Sequence, residues 1–301
     1  MYLNNGSVVR AMTIAGSDSG GGAGIQADLK TFAAFDVYGC SCITALTAQN
    51  TLDVLGIMEM TPEFVQLQLQ SILDDIGTHA LKTGMLSNEN IIHVVAQTLQ
   101  QYKVTNIVVD PVMISKSGKS LLSYSAIQAM KEQLLPLADI LTPNLPEAET
   151  LCGYPITTFE QCLQAAQDLA SLGPRIVIIK GGHANEEDGP SSHVVDLVFD
   201  GENFTSFHSP RIPSHKTHGT GCTFSAAITA GLARGMNFLN AIASAKSFVQ
   251  DAIEAATDWD VGNGYGPTNH SVAIRIAEGV VAGYSYIRKD GGWMRCEEIS
   301  V

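Results

Sequence analysis

His218-Gly219-Thr220-Gly221-Cys222-Thr223 is the stretch around which the chain is organised, and an apolar run from Phe224 to Leu232 follows it directly. Together they predict a buried helix that begins in a glycine-rich turn. The first amides of a helix have no intrahelical partner and lie at the positive end of the helix dipole. Glycines there let the backbone close on an anion, so the turn indicates a cradle for a phosphate or an oxyanion. A helix start with a threonine cap is the plainer alternative.

Cys222 lies inside this turn. A helix N-terminus lowers the pKa of a nearby thiol because its positive potential favours the anion. We therefore expect Cys222 to favour the thiolate form. Cys40 and Cys42 alternate within an apolar run and are interpreted as small core residues.

The composition excludes several classes of function. The 301 residues are 45% hydrophobic and 16% charged, which is enough apolar material for a large α/β core. The net charge of -13 provides no basic surface for nucleic acid or for a membrane. The N-terminus lacks signal-peptide features, no apolar stretch is long enough to span a bilayer, and the six cysteines form no C-x-x-C pair. We expect a cytoplasmic protein with neither nucleic acid nor membrane as a partner.

Short apolar runs alternate with segments of helical spacing along most of the chain. Predicted strands cover residues 11–15, 37–48, 55–60, 80–83, 106–110, 138–141, 175–179, 193–199 and 203–209. Predicted helices cover residues 25–35, 62–76, 88–102, 125–135, 159–172, 220–234 and 238–256. This alternation predicts an α/β fold in which helices cover both faces of a mostly parallel sheet. No linker interrupts it before residue 258, so a single domain is expected, followed by a tail of mixed composition.

Two further motifs invite a nucleotide-binding interpretation. Gly22-x-Gly24-x-x-Ala27 loosely matches the dinucleotide fingerprint, but residues 40–46 lack the acidic residue that a nicotinamide site requires. Ser117-Gly118-Lys119-Ser120 resembles the end of a Walker A loop, but Met113 stands where that pattern needs glycine, and we interpret it as a surface loop. Residues 185–192 are polar and glycine-bearing, and we expect a mobile loop there. The histidines do not have zinc-site spacing, so no zinc is expected.

Polar residues follow the ends of several predicted strands. Ligands of open α/β sheets bind at the carboxyl ends of the strands. Asp110 and Glu147 are candidate Mg²⁺ ligands, since Mg²⁺ keeps several waters and needs few protein ligands. Lys180 follows another strand and is a candidate phosphate contact. An anion cradle, a lysine and carboxylates are the components that phosphoryl transfer requires.

Seven motifs follow one another along the chain: Ala15-Gly16-Ser17-Asp18, Gly22-Ala23-Gly24-Ile25-Gln26-Ala27-Asp28, Thr44-Ala45-Leu46-x-Ala48-Gln49-Asn50, Lys82-x-Gly84-Met85, Thr142-Pro143-Asn144-Leu145-Pro146-Glu147-Ala148, Lys180-Gly181-Gly182-His183 and His218-Gly219-Thr220-Gly221-Cys222-Thr223. Together they resemble the motifs of the hydroxymethylpyrimidine/phosphomethylpyrimidine kinases of thiamine biosynthesis, in the vitamin-kinase branch of the ribokinase-like superfamily. Sugar kinases of that superfamily end the last motif in Asp, whereas this chain has Cys222.

The resemblance implies a ribokinase-like three-layer α-β-α sandwich with a central, mostly parallel sheet. It assigns residues 10–270 to a kinase domain and leaves residues 271–301 as a C-terminal extension of unknown role. Two departures from the family pattern stand out. Ser17-Asp18-Ser19-Gly20 stands where Thr-Asp-Pro-Ser is more common, and the chain continues beyond the usual end of the family.

The resemblance also implies roles for individual residues. One amide, that of Gln49, can bond both a ring nitrogen and an exocyclic amine of an aminopyrimidine, and Asp28 can accept from an amine or a hydroxyl. Cys222 would be the base for the hydroxymethyl group, and the amides of the turn would hold the transferred charge. The implied pyrimidine contacts are Gly16, Asp28, Gln49, Met85 and Val112; the cradle is Gly219, Thr220, Gly221 and Cys222; the ATP contacts are Lys180, Asn144 and Thr220; the metal ligands are Asp110 and Glu147.

The implied activity is the ATP- and Mg²⁺-dependent phosphorylation of 4-amino-5-hydroxymethyl-2-methylpyrimidine, first to its monophosphate and then to its diphosphate, by a homodimer. A pyridoxal kinase of the same branch is one alternative, which comparative kinetics would separate. A non-catalytic pyrimidine sensor is another. The presence of Lys180, Glu147 and Cys222 argues against it, because a sensor has no need of transfer machinery.

Overall fold

The predicted alternation of strands and helices forms one eleven-stranded sheet. The computed structural model describes residues 6–113, 122–181 and 193–298. The elements in chain order are β1 (Arg10–Asp18), α1 (Gly24–Ala34), β2 (Tyr38–Gln49), β3 (Val54–Glu59), α2 (Pro62–Asp75), β4 (Ala80–Thr83), α3 (Glu89–Gln101), β5 (Ile107–Val109), α4 (Tyr124–Ala129), β6 (Ile140–Leu141), α5 (Leu145–Cys152), α6 (Phe159–Ala170), β7 (Ile176–Ile179), β8 (His193–Phe199), β9 (Phe204–Pro210), α7 (Thr220–Ala233), α8 (Phe238–Glu254), β10 (Tyr284–Lys289) and β11 (Gly292–Glu298).

The centre of the sheet is parallel, and most pairs toward its margins are antiparallel. The strand order is β11-β10-β9-β8-β7-β6-β5-β4-β1-β2-β3. Strands β2, β1, β4, β5, β6 and β7 pair in parallel, whereas β3, β8 and β9 join by antiparallel pairing. The carboxyl ends of the six parallel strands therefore share one edge, where ligands of such sheets bind. The predicted α/β class and mostly parallel sheet are confirmed.

Helices cover both faces of the sheet. The apolar residues of α2 to α6 pack on one face, and those of α1, α7 and α8 pack on the other. Because both faces are covered, central strands such as Ile107–Val109 and Ile176–Ile179 are apolar throughout. The apolar run of α7 is buried on nearly all sides, which explains its lack of a polar face.

Local signals place most element ends. Asn88 caps α3, since its side chain accepts a hydrogen bond from the amide of Ile91. The Asp200-Gly201 turn joins β8 and β9 into a hairpin. The predicted helix over residues 125–135 is altered: α4 continues into a π turn, Met130–Leu134, and a 3₁₀ turn, Leu135–Leu137. Pro136 lies in that last turn and has no amide hydrogen for further α-helical bonding.

The C-terminal extension is part of the same sheet. Strand β10 pairs in parallel with β9, and β11 pairs with β10. The Phe207 ring stacks on that of Tyr286, and the indole of Trp293 donates to the carbonyl of Ala243 in α8. Residues 271–298 thus complete one edge of the sheet and cover the outer side of α8.

The loops predicted at residues 117–120 and 185–192 lie outside the described residues. None of the helices in the described ranges has both the length and the apolar character needed to cross a membrane. All six cysteines are free thiols.

Candidate active site

A cavity of about 660 Å³ lies at the carboxyl ends of the parallel strands. Its walls come from the end of β1, the segments that follow β4 to β7 and the start of α7. Every predicted site residue lines it except Asp28; those that do are Gly16, Gln49, Met85, Asp110, Val112, Asn144, Glu147, Lys180, Gly219, Thr220, Gly221 and Cys222. The fold thus brings together the three groups that the sequence separates: the pyrimidine contacts, the phosphate contacts and the cradle.

The cradle is the N-terminus of α7, which Gly219 precedes. Gly219 precedes α7 with φ of 82°, a left-handed conformation that favours glycine. A Cβ on Gly219 would lie 1.8 Å from the carbonyl oxygen of Gly22, so this residue also permits close packing of two loops. No side chain caps α7, and the alternative of a threonine cap is therefore wrong. The first-turn amides of Gly221 and Cys222 lack intrahelical partners and belong to residues that line the cavity.

Asp18 fixes the glycine loop after β1. Its carboxylate accepts hydrogen bonds from the amides of Gly20, Gly22 and Ala23 and bonds the ring of His218. Burial opposes the charge on Asp18, but the His218 bond and these amides hold the pKa of its carboxyl below the usual value. A Cβ on Gly22 would lie 2.5 Å from His218 Cδ2. Protein contacts therefore account for the glycines that loosely match the dinucleotide fingerprint.

The protonation state expected for Cys222 is wrong. Burial raises the pKa of its thiol to about 12 and outweighs the nearby charge of Lys82 and a hydrogen bond from the Gly24 amide, which both lower it. The carboxylates of Asp28 and Asp110 add to the increase. The surroundings of Cys222 therefore favour the thiol, because desolvation exceeds the effect of the helix terminus.

Asp28 and Lys82 form an ion pair below the cavity. Both side chains are fully buried, with 3.0 Å between Lys82 Nζ and Asp28 Oδ1. The hydroxyl of Thr13 donates to the other carboxylate oxygen at 2.6 Å. This burial places Asp28 outside the cavity lining, so the geometry gives no support to its predicted contact with a pyrimidine. The carboxylate serves instead as the counterion of Lys82.

Lys180 lies among carboxylates in the middle of the cavity. Its ammonium is 3.0 Å from Asp110 Oδ1. Burial disfavours the charge on Lys180, but Asp110 and Glu147 overcome it and raise the pKa of the ammonium above its usual value. Burial raises the pKa of Glu147 to about 7, although Lys180 opposes the shift. The carboxylate of Glu147 also accepts from the Asn144 amide while Asn144 caps α5, so these two residues have a structural task as well.

The other end of the cavity has the features expected for a flat, hydrogen-bonding ligand. Gln49 Nε2 lies 3.4 Å from the ring nitrogen Nε2 of His218. A Cβ on Gly16 would lie 2.5 Å from the Met85 methyl carbon, so the glycine makes room for that side chain. The hydroxyl of Thr44 donates to the Met85 carbonyl and fixes its backbone. An amide therefore faces this part of the cavity beside an apolar thioether.

A sequence profile of the family described as phosphomethylpyrimidine kinase matches residues 18–269. The chain belongs to this family. A hydroxymethylpyrimidine/phosphomethylpyrimidine kinase of Bacillus subtilis is 47% identical over 264 residues, which cover 88% of this chain and 95% of that protein. A thiamine biosynthesis bifunctional protein of Geobacter sulfurreducens is 48% identical over 262 residues, which cover 87% of this chain and 52% of that longer protein. The solved ADP complex of a Bacillus subtilis pyridoxal kinase is 40% identical, covers 88% of this chain and 98% of its own, and superposes with a TM-score of 0.78.

The structure adds site residues that the sequence analysis did not assign. The charge of Lys82 acts on the thiol of Cys222. A second buried ion pair, between Asp196 and Lys246, lines the cavity. The sequence contains a signal for this ion pair, namely charged residues within apolar segments. Asp196 interrupts the apolar strand His193–Phe199, and Lys246 interrupts an apolar helical face, where an unpaired charge would be costly.

Proposed function

We propose that this phosphomethylpyrimidine kinase transfers the terminal phosphoryl group of ATP to 4-amino-5-hydroxymethyl-2-methylpyrimidine and then to the resulting monophosphate, in thiamine biosynthesis. The observation that carries the proposal is the single cavity that Gln49, Lys180 and Cys222 share. Both acceptors contain the same pyrimidine ring, so one binding site can serve both transfer steps. The similar proteins of Bacillus subtilis and Geobacter sulfurreducens support this choice of substrate.

The proposed arrangement places the pyrimidine between Gln49 and Met85 and the nucleotide phosphates beside Lys180. In the first step the acceptor oxygen forms a bond to the terminal phosphorus, the bond from that phosphorus to the bridging oxygen breaks, and ADP leaves. The charge that spreads over the transferred group is stabilised by the first-turn amides of Gly221 and Cys222. Lys180 supplies a fixed positive charge, already oriented by Asp110.

Cys222 is the proposed base for the first transfer. As a thiolate it receives the proton of the hydroxymethyl group, and the proton then rests on Sγ. Because burial raises the pKa of the free thiol to about 12, the thiolate is the minor form at neutral pH and depends on groups beside Sγ that favour it. Lys82 and the amide of Gly24 are the groups that already favour it. The monophosphate in the second step is mostly a dianion at neutral pH and needs no base.

Asp110 and Glu147 fit a magnesium ion. Within the described ranges no three side chains of His, Cys, Asp and Glu gather as metal ligands. Asp110 and Glu147 are the two acids of the cavity lining whose charges act on Lys180, and we propose them as the residues that would hold the ion. Two carboxylates suffice, since Mg²⁺ commonly retains several waters and binds the phosphates of its nucleotide. When bound, the ion neutralises phosphate charge.

ADP production is the direct test. The protein is incubated with Mg²⁺, ATP and the hydroxymethylpyrimidine, and ADP is measured with and without acceptor. We expect acceptor-dependent ADP and a product that carries first one and then two phosphates. The Lys180→Ala variant should lose ATP use and retain pyrimidine binding. Failure of the wild type to make ADP while it still binds the pyrimidine would support the sensor alternative instead.

Phosphorylation of pyridoxal is a second candidate activity. The similarity to a pyridoxal kinase of Bacillus subtilis, at 40% identity and a TM-score of 0.78, favours it. Parallel measurement of kcat/KM on pyridoxal and on the hydroxymethylpyrimidine separates the two. We expect the pyrimidine to be preferred, and a higher kcat/KM on pyridoxal would reverse the assignment.

We also propose that the chain forms a homodimer. The edge hairpin β2–β3 and helix α2 expose the large apolar side chains of Leu46, Leu55, Met58, Phe64 and Leu67. An exposed group of this kind marks an interaction surface, and a second copy is the partner that buries it symmetrically. Light scattering of the wild type should give the mass of two chains, and the Leu55→Glu/Met58→Glu variant should give the mass of one.

A further inference from the structure

Asp196 is an acid on the core-facing side of β8. It lies two residues before Val198, which packs in the core with α7 and α8, so both side chains point to the same face of the sheet. The residue is only 5% exposed, yet it lines the cavity. One carboxylate oxygen accepts from the Gly181 amide at 3.0 Å, and the other bonds the ammonium of Lys246 at 2.6 Å. Both oxygens of this carboxylate are thus in use.

Gly181 is held tightly against β8. A Cβ at this position would lie 1.9 Å from the carbonyl oxygen of Val195, so the backbone here approaches more closely than a side chain permits. The preceding residue, Lys180, is fixed by its amide, which donates to the carbonyl of Pro143 at 2.9 Å. The Asp196 bond to Gly181 is the corresponding anchor on the other side of Lys180.

Lys246 connects this anchor to α8. Lys246 is 7% exposed. Together with Val249, Gln250 and Ile253 it forms the side of α8 that lines the cavity. The opposite side of α8 contacts the extension, where Arg288 bonds Asp251. The ion pair therefore ties the wall of the cavity that α8 provides to the backbone beside Lys180.

We propose that Asp196 and Lys246 form a positioning pair that fixes the Gly181 backbone and so orients Lys180 toward the nucleotide phosphates. The proposal rests on the proposed role of Lys180. The pair does not touch the reacting atoms. Its effect passes through one main-chain hydrogen bond, and the positive charge of Lys246 is needed because the Asp196 carboxylate is buried.

Substitutions separate the hydrogen bond from the charge. Asp196→Ala removes the acceptor of the Gly181 amide and leaves the charge of Lys246 buried and unpaired. Asp196→Asn combined with Lys246→Met removes both charges but keeps an oxygen that can accept from Gly181. Arg288→Met is the matched control, because it breaks an ion pair on the other side of the same helix.

The measurements are the dissociation constants of Mg-ATP and of the hydroxymethylpyrimidine, each by calorimetry without the other substrate, with the melting temperature of every variant. Asp196→Ala should weaken Mg-ATP binding roughly ten- to one-hundred-fold, the scale of one unsatisfied buried amide. Pyrimidine affinity should stay within about twofold, since the other end of the cavity is untouched. The double variant should recover most of the Mg-ATP affinity, and Arg288→Met should match the wild type in both constants.

Three outcomes would overturn the positioning pair: Mg-ATP affinity of Asp196→Ala close to that of the wild type, an equal loss for both ligands, or a double variant as weak as Asp196→Ala. The Lys180→Ala variant distinguishes this failure from that of the proposed function. If Lys180→Ala weakens Mg-ATP binding while Asp196→Ala does not, only the positioning role is wrong. If Lys180→Ala binds Mg-ATP like the wild type, the phosphate role of Lys180 is wrong, and the positioning role falls with it.

Discussion

His218 Nε2 lies 2.9 Å from Asp18 Oδ2 and joins the end of the first strand to the turn before α7, 200 residues later. The same carboxylate holds three amides of the glycine loop. The two loops, which pack against each other beside the cavity, are therefore connected by one buried acid. Their relative position depends on this acid being charged.

Asp18→Ala should lower the free energy of unfolding by about 2–3 kcal/mol at neutral pH, the scale of hydrogen bonds to a charged acceptor. The pKa of Asp18 is depressed in the folded chain, so its contribution is complete above the ordinary pKa of an aspartate and is lost as the pH falls through the folded value. Urea unfolding of the wild type and Asp18→Ala at a series of pH values measures this contribution. Asp258→Ala is the control, because Asp258 is exposed. A constant difference between Asp18→Ala and the wild type down to strongly acidic pH would contradict the linkage.

Gly219→Ala should abolish the cradle as well as destabilise the chain. Its φ is 82°, and the added Cβ would meet the Gly22 carbonyl at 1.8 Å. Gly77→Ala is the matched control, since φ is 70° there but nothing lies within 4 Å of the added atom. The control should lose about 1–2 kcal/mol of stability from backbone strain alone and keep its activity. If the two variants lose stability and kcat equally, close packing at Gly219 has no special role.

Cys222→Ala should damage the two phosphorylations unequally. The first acceptor is a neutral alcohol, so loss of its base should slow that transfer by roughly two to four orders of magnitude. The second acceptor is already ionised, and the backbone cradle survives, so the second transfer should fall much less. Single-turnover assays on the hydroxymethylpyrimidine and on its monophosphate make the comparison, and Cys222→Ser should rescue little. Equal losses would assign Cys222 to the geometry of the cradle rather than to proton transfer.

Glu147→Gln should change the pH dependence of stability. Burial raises the pKa of Glu147 to about 7, so the folded chain binds this proton more tightly than the unfolded chain does. The stabilisation is present below the unfolded pKa and is lost as the pH rises through about 7. Relative to the wild type, the Gln variant should therefore gain about 2–3 kcal/mol between roughly pH 5 and pH 8. If the free energies of unfolding of the wild type and the variant keep a constant difference from about pH 5 to pH 8, Glu147 is charged throughout this range and its pKa is not raised.

Gln49→Leu should fold normally and bind the pyrimidine poorly. Its amide lines the cavity and lies beside His218, and a buried polar ligand left without its partner costs about 1–3 kcal/mol. Calorimetry with the pyrimidine measures the loss, and Mg-ATP affinity is the internal control. Unchanged pyrimidine affinity would remove Gln49 from the site.

The alternation of apolar runs and helical segments was enough to predict the sheet, because strands buried on both faces must be apolar. The location of the site followed from the polar residues Asp110, Asn144 and Lys180 at strand ends. Asp28 shows the limit of such reasoning. The motif that contains it fits the family, but only the packing of α1 on β1 reveals that its carboxylate bonds Lys82 of β4 rather than lining the cavity.

Cys222 and the extension show two other limits. The helix terminus predicts a lowered thiol pKa, but the sequence does not show how deeply the thiol is buried, and here burial dominates. In the extension, Asp290-Gly291 lies between two alternating runs, as Asp200-Gly201 does between β8 and β9. That turn signal predicts a hairpin. Its attachment to β9 depends on long-range contacts of Tyr286 and Trp293 that no local pattern records.

The attachment of β10 to β9 has a consequence for amide hydrogen exchange. In a chain that ended at the family boundary, β9 would be the outermost strand, and its outward amides would exchange with solvent directly. Here Ser206, Phe207 and His208 are paired with Ser285, Tyr286 and Ile287. Exchange of those of their amides that point to β10 therefore requires the hairpin to detach, whereas the alternate amides point to β8. Deuterium uptake at the β10-facing amides thus reports the opening free energy of the C-terminal strands separately from the unfolding of the kinase core.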